Sequence, residues 1–203
     1  MKSLLEASID DARRRKVIAA QTPIVACDAT GYESHHVSAY FARRSGQIMH
    51  DFPKISELIE IKSHLALATQ PGRGPSPDCP ALPQLIERAK TRARFAMLLA
   101  DAGYDGQPQH DLLAQHDIFG IIPPRPGRPA RNGKVGGATR AMLHRHWETL
   151  RPIYAQRWQC ETRYAMSKQH LGSALRSRHD TYQQRECQLR SITLNFMLEP
   201  SDG

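Results

Sequence analysis

Two short apolar runs, each stopping at an aspartate followed by a glycine-bearing turn, constrain this chain most. In QTPIVACDATG residues 24–27 lead into Asp28, and in RFAMLLADAGYDG residues 95–100 lead into Asp101. Runs this short and this apolar read as strands buried on both faces of a sheet, and the Ala, Gly and Asp that follow favour turns. An aspartate at the end of a buried strand is a common ligand position. For Asp28 alone a turn or capping role is the simpler reading, and the repetition of the phrase at Asp101 points instead to a shared task.

The remaining elements follow from periodicity. Residues 3–20 predict an amphipathic helix with Leu4, Leu5, Ile9, Val17 and Ile18 on one face and residues 13–16 exposed. After the first strand, residues 37–41 suggest a second and residues 59–68 a third, which together make a meander. Residues 72–80, GRGPSPDCP, read as a surface loop. Residues 82–92 then place Leu82, Leu85, Ile86 and Ala89 at helical spacing. A short helix over 107–116 and a strand over 118–122, halted by Pro123 and Pro124, come next. The last helix carries Tyr182, Leu189, Ile192, Leu194, Phe196 and Met197 as core cover. This order predicts an α/β fold with a mixed central sheet of about five strands flanked by helices.

Near the end of the chain, Tyr154, Arg157, Glu161 and Lys168 stand at offsets of 3, 7 and 14. At about 100° per residue these offsets put all four on one stripe of a long helix. A phenol, a guanidinium, a carboxylate and an ammonium on one face suit phosphate better than a core. Arg157 can grip a phosphate with two parallel hydrogen bonds, and Lys168 offers a flexible point charge.

This Y-x2-R-x3-E-x6-K spacing in YAQRWQCETRYAMSK resembles the signature helix of insertion-sequence transposases with a DDE (Asp, Asp, Glu) active site. The Asp28 and Asp101 phrases resemble that family's first and second aspartate segments, and the likeness spans roughly residues 20–198. The resemblance implies an RNase H-like fold closed by the signature helix. It implies Asp28, Asp101 and Glu161 as catalytic metal ligands for Mg²⁺ or Mn²⁺, with Tyr154, Arg157 and Lys168 on DNA phosphates. The activity implied is cleavage and strand transfer of mobile-element DNA ends. The partners are double-stranded DNA at those ends and at the target, met as a homodimer or higher oligomer in a prokaryotic cytoplasm. Two Mg²⁺ ions about 3.5 to 4 Å apart can activate the nucleophile and neutralise an in-line phosphorus, and a few carboxylates with substrate phosphate suffice to hold them.

Composition sets the remaining bounds. A chain of 203 residues builds one core, read as residues 1–20, a helical remnant of a DNA-binding region, followed by a catalytic domain over 21–203. No run approaches the roughly 20 apolar residues of a membrane span, and residues 1–20 lack the apolar segment of a secretory signal, so the protein is expected to stay inside the cell. Cys27, Cys79, Cys160 and Cys187 are scattered, without the pairing of a zinc knuckle or disulfide framework. A net charge of +8 suits a polyanionic partner. The densest basic tract, RPGRPARNGK, offers Arg125, Arg128, Arg131 and Lys134 as an arm that gains order along DNA, the plainer reading being a solvated linker.

Four further residues receive bland readings: Asp105 forms a turn with Gly106, Trp158 packs under its helix rather than stacking on a base, and His35 and His36 are structural. Two alternatives to a transposase remain. One is a nuclease of the same fold that hydrolyses without joining ends. The other is a truncated, transposase-derived DNA-binding protein without catalysis, suggested by the 27 residues that precede Asp28.

Overall fold

The computed structural model describes residues 2–34, 51–124 and 137–199. Five strands form the main sheet: β1 (Ile24–Gly31), β3 (Phe52–Glu60), β4 (Ala66–Gly74), β5 (Met97–Ala100) and β6 (Phe119–Ile121). Their order is β4-β3-β1-β5-β6. β1, β3 and β4 pair antiparallel, while β5 and β6 add in parallel beyond β1. A meander with its first strand at the centre, extended by two parallel strands through helical crossovers, is the RNase H-like arrangement. A two-residue β2 (Glu33–Ser34) pairs separately with β7 (Ala174–Leu175).

The helices are α1 (Lys2–Arg14), α2 (Leu82–Lys90), α3 (Gln107–Gln115), α4 (Ala138–Arg145), α5 (Trp147–Tyr154), α6 (Trp158–Leu171) and α7 (Asp180–Met197). Leu82, Leu85, Ile86 and Ala89 of α2 are buried as their spacing predicts. They join Ile9 and Ala12 of α1 and Leu113 of α3 over one face of the sheet, against Val25, Cys27, Leu98 and Ala100. On the other face Ala26, Ile59 and Leu99 meet Cys160 and Tyr164 of α6, with Trp147 and Leu150 of α5 packed alongside.

This alternation decides where the acids point. Successive strand residues face opposite sides. Asp28 shares parity with Ala26, and Asp101 with Leu99, so both side chains emerge on the α5–α6 face. In register, Ala26 pairs with Leu99 and Cys27 with Ala100. The two aspartates therefore occupy the next level on neighbouring strands, whose spacing is about 4.8 Å.

Several sequence-based boundaries shift. β1 continues through Asp28 to Gly31, so this aspartate is inside a strand instead of ending it. The single strand expected over 59–68 is two strands with a turn between them. Glu60 makes that turn by accepting from the Lys62 and Ser63 amides at 3.1 and 2.7 Å, and His64 adopts a φ of 59°. β4 also reaches Gly74, into the segment read as loop. The strand expected over 37–41 lies outside the described residues, as do His35 and His36. On α7 only Ile192 and Leu194 of the six expected core residues are buried, while Tyr182, Leu189, Phe196 and Met197 are exposed. All four cysteines are free thiols. Among the described residues no helix is long and apolar enough to cross a membrane.

Candidate active site

The signature stripe is not one unbroken helix. α5 ends at Tyr154, a 3-10 turn spans Ala155–Arg157, and α6 starts at Trp158. Pro152 inside α5 lacks the N–H that would continue the ladder, and the chain tightens three residues later. The offset of four between Arg157 and Glu161 survives the break. Arg157 Nη2 donates to Glu161 Oε1 at 2.7 Å, and Nη1 donates to Asp28 Oδ2 at 2.8 Å. One guanidinium thus ties the signature glutamate to the first aspartate, 133 positions apart by subtraction of their numbers.

Asp101 completes the acidic group from the end of β5. It caps the 3-10 turn Ala102–Tyr104, its Oδ1 accepting from the Gly103 amide at 2.8 Å. A Cβ at Gly103 would stand 2.8 Å from that same oxygen, so glycine is what lets the backbone approach the carboxylate. Burial pushes the Asp28 carboxyl above its ordinary range, the Ala29 amide and Arg157 pull it back, and the charge of Asp101 raises it again. A desolvated carboxyl held high beside a second acid marks a place built to receive positive charge.

The three acids do not enclose a single point. Among the described residues no three or more His, Cys, Asp or Glu side chains gather as a ready metal cage. Asp28 lies beside Asp101 on one hand and is joined to Glu161 through Arg157 on the other, and the Glu161 side chain is 64% exposed. The donor set nevertheless fits a hard divalent cation: carboxylate oxygens alone, on one face, at least one of them desolvated.

Two neighbours that spacing did not reveal hold α6 against the sheet here. Tyr164 donates its hydroxyl to the backbone carbonyl of Asp28 at 2.7 Å, fixing the helix to the strand at the acid itself. Arg163 is fully buried and its Nε donates to Glu57 Oε2 at 2.7 Å, and Glu57 is the residue opposite Asp28 on β3. Tyr164 stands one helical turn beyond Glu161, a signal that could have found it. Arg163 gives no such signal, because an arginine in ETRYAMSK reads as a solvated face.

The other expected site residues fall at varied distances from the acids. The Tyr154 ring packs on Trp147 with centroids 5.1 Å apart, and burial raises its phenol despite the nearby Arg157. Lys168 lies near the far end of α6, its Nζ 5.8 Å from the centroid of the Tyr32 ring. Arg125, Arg128, Arg131 and Lys134 lie outside the described residues. Trp158 corrects the sequence reading: it is 54% exposed beside Arg157 instead of packed beneath the helix.

Asp105 also departs from its expected role in a turn. It is buried, and Arg140 of α4 grips it in bidentate fashion, Nε to Oδ1 at 2.7 Å and Nη2 to Oδ2 at 2.6 Å. The grip fixes α4, which follows the basic tract, close to the loop of the second acid. His110 is buried alongside, its Nε2 3.6 Å from Asp105 Oδ1. Burial holds this imidazole below its ordinary value, outweighing the opposing pull of Asp105.

A depressed folded value means that the unfolded chain takes up the proton first, so this contribution is full above about pH 6.5 and is lost as pH falls below it. Replacing His110 by leucine is expected to flatten the acid limb of stability, whose slope from one such group approaches about 1.4 kcal/mol per pH unit. Melting temperatures of both proteins measured from neutral to mildly acidic pH test this, and parallel curves would refute it.

The family model described as Transposase DDE domain matches residues 19–198. No curated protein matches the sequence. Among solved structures, the chain is similar to a protein of the simian T-cell lymphotropic virus intasome, determined with the PP2A regulatory subunit B56 gamma, at 8% identity and a TM-score of 0.39. That match covers 85% of this chain and 48% of the other, so this chain spans about half the length of that protein. It is also similar to the catalytic core domain of BIV integrase, at 12% identity and a TM-score of 0.34, over 83% of this chain and 97% of that one. A third similarity is to the Mos1 transposase catalytic domain, solved with raltegravir and Mg, at 10% identity and a TM-score of 0.31, over 100% of this chain and 94% of that one.

Proposed function

Because this chain belongs to the transposase DDE domain family, we propose that it cleaves mobile-element DNA ends and transfers the freed strand to target DNA, using Asp28, Asp101 and Glu161. The observation that carries this reading is the Arg157 bridge. Within one guanidinium's reach it brings the first strand's aspartate to the signature glutamate, while Asp101 emerges level with Asp28 on the next strand. Asp28, Asp101 and Glu161 would hold a divalent cation, the first two from neighbouring strands and the third from α6. When bound, Mg²⁺ or Mn²⁺ supplies charge neutralisation at the phosphorus and a more acidic water or hydroxyl nucleophile.

The chain's own residues supply orientation. Tyr164 and Arg163 fix α6 against β1 and β3, so the acid at the start of that helix keeps its height over Asp28. Arg157 is the natural phosphate ligand, since its planar fork accepts two oxygens at once. The exposed Trp158 offers a flat apolar face next to it, suited to stacking on an unpaired base. Lys168 and the basic residues Arg125, Arg128, Arg131 and Lys134 would supply further positive charge for DNA, and residues 1–20, read as a remnant of a DNA-binding region, would serve here as part of the catalytic domain, since Ile9 and Ala12 are buried in its core. Two ends must be held together for transfer, which assigns a homodimer or higher oligomer on DNA.

The test is an assay with DNA carrying the element's own ends and either Mg²⁺ or Mn²⁺. Nicked ends joined to target DNA are the expected products. Hydrolysed ends with no joined product would favour the nuclease reading. Binding that needs no metal and leads to no cleavage would overturn both in favour of a binding protein.

A further inference from the structure

Arg157 occupies the position between two acids that a cation bridging them would need. Its two terminal nitrogens take Asp28 Oδ2 at 2.8 Å and Glu161 Oε1 at 2.7 Å. The two arms are unequal. Arg157 and Asp28 are 20% and 17% exposed in their side chains, whereas Glu161 is mostly in solvent. The Asp28 arm therefore carries most of the attraction, and the exposed arm adds little.

A divalent ion and a guanidinium compete for these two acids, because each positive group lowers the attraction of the carboxylates for the other. Mg²⁺ draws carboxylate oxygens to about 2.0 to 2.1 Å, and a second positive group at hydrogen-bond distance from the same oxygen would be repelled. Drawing the guanidinium off removes that repulsion and frees Asp28 Oδ2 and Glu161 Oε1 for a metal. A phosphate diester matches the planar fork and replaces the lost charge-assisted bonds, so the side chain can move without being left unpaired. The 3-10 turn that carries Arg157 separates two helices, which puts the residue at a break in the helical ladder.

Resting on the assignment of these acids to metal, we infer that Arg157 is an internal counter-ion that closes the metal site in the free protein, and that DNA phosphate opens it by taking the guanidinium. Phosphate binding and metal binding are then positively coupled, and linkage makes the coupling reciprocal. The centre then loads metal preferentially where a DNA backbone lies on the turn between α5 and α6. Uncontrolled loading of the free protein is thereby suppressed.

Mn²⁺ binding, followed by the loss of the free-ion electron paramagnetic resonance signal, tests this without any activity readout. Wild type, Arg157→Gln, Arg157→Lys and Asp28→Asn are titrated alone and with a short DNA duplex, with the signal of DNA alone subtracted. Arg157→Gln is expected to bind Mn²⁺ about tenfold more tightly than wild type in the absence of DNA, equivalent to about 1.4 kcal/mol. Arg157→Lys, which keeps the charge but loses the fork, should fall between them and serves if the glutamine variant misfolds. The duplex should tighten Mn²⁺ binding to wild type and leave Arg157→Gln unchanged.

Equal or weaker binding by both Arg157 variants, with Asp28→Asn weaker still, would overturn the counter-ion role while leaving the acids as metal ligands. Binding that is the same in all four proteins, or undetectable in all, would remove the metal assignment and this inference with it.

Discussion

Replacing Arg163 by alanine is expected to lower the melting temperature by roughly 10 °C. Breaking a buried pair costs about 3–5 kcal/mol, and a domain of this size loses about 2–4 °C per kcal/mol. Arg163 has no exposed surface and serves four groups at once. Beyond Glu57, its Nη1 donates to the His64 carbonyl at 2.6 Å, and its Nη2 to Ser191 Oγ at 2.9 Å and the Ser191 carbonyl at 3.2 Å. The residue thus joins α6 to β3, to the turn before β4 and to α7. Alanine would leave Glu57 as a buried carboxylate with no cation, and the cost lies mainly there. A double replacement, Glu57→Gln with Arg163→Met, should recover much of the lost stability because it removes the stranded charge. Thermal denaturation of the two variants decides the matter: a single variant that melts with the wild type, or a double variant worse than the single, would contradict this account.

That network also shows where sequence reading stops. The strand before each aspartate was legible because the runs IVAC and MLLA state burial locally, but only Asp101 also marks its strand's end, since β1 continues past Asp28. The helix over α2 was legible because Leu82, Leu85, Ile86 and Ala89 repeat at helical spacing. The split between β3 and β4 was not, since LIEIKSHLALATQ stays apolar across both strands and its turn contains neither Gly nor Pro. The turn is made by the Glu60 side chain, which satisfies two backbone amides that a glycine-rich turn would bond within its own backbone.

Site residues divide in the same way. The identities of Asp28, Asp101 and Glu161 could be proposed from phrases and spacing, but the role of Arg157 as a bridge between two of them depends on a contact across 129 positions. Arg163 and Asp105 were hidden because an arginine on a helix and an aspartate before glycine have common, cheaper explanations. In both cases the partner that changes the reading, Glu57 or Arg140, is distant in sequence. Trp158 was misread for the opposite reason: large aromatic side chains are usually packed, and only the fold shows this one turned to solvent at the start of α6.

Replacing Asp28 by asparagine is expected to reduce cleavage by about a thousandfold or more, since a metal ligand and the charge it neutralises disappear together, an effect of several kcal/mol. The same substitution should not weaken the fold. Burial raises the folded carboxyl above its unfolded value, and Asp101 adds to the rise after the Ala29 amide and Arg157 have offset part of it. For an acid shifted in this direction the native state holds the proton more tightly, so ionisation subtracts stability as pH climbs past the unfolded value near 3.8. At neutral pH the neutral, nearly isosteric asparagine removes that penalty, and the variant should melt no lower than wild type and preferably higher. Loss of cleavage together with preserved or raised melting temperature is the pattern of a position whose charge is kept for chemistry at the expense of stability. Retained cleavage would remove Asp28 from the site, and a lower melting temperature would mean that its bond to Arg157 outweighs its burial in the folded protein.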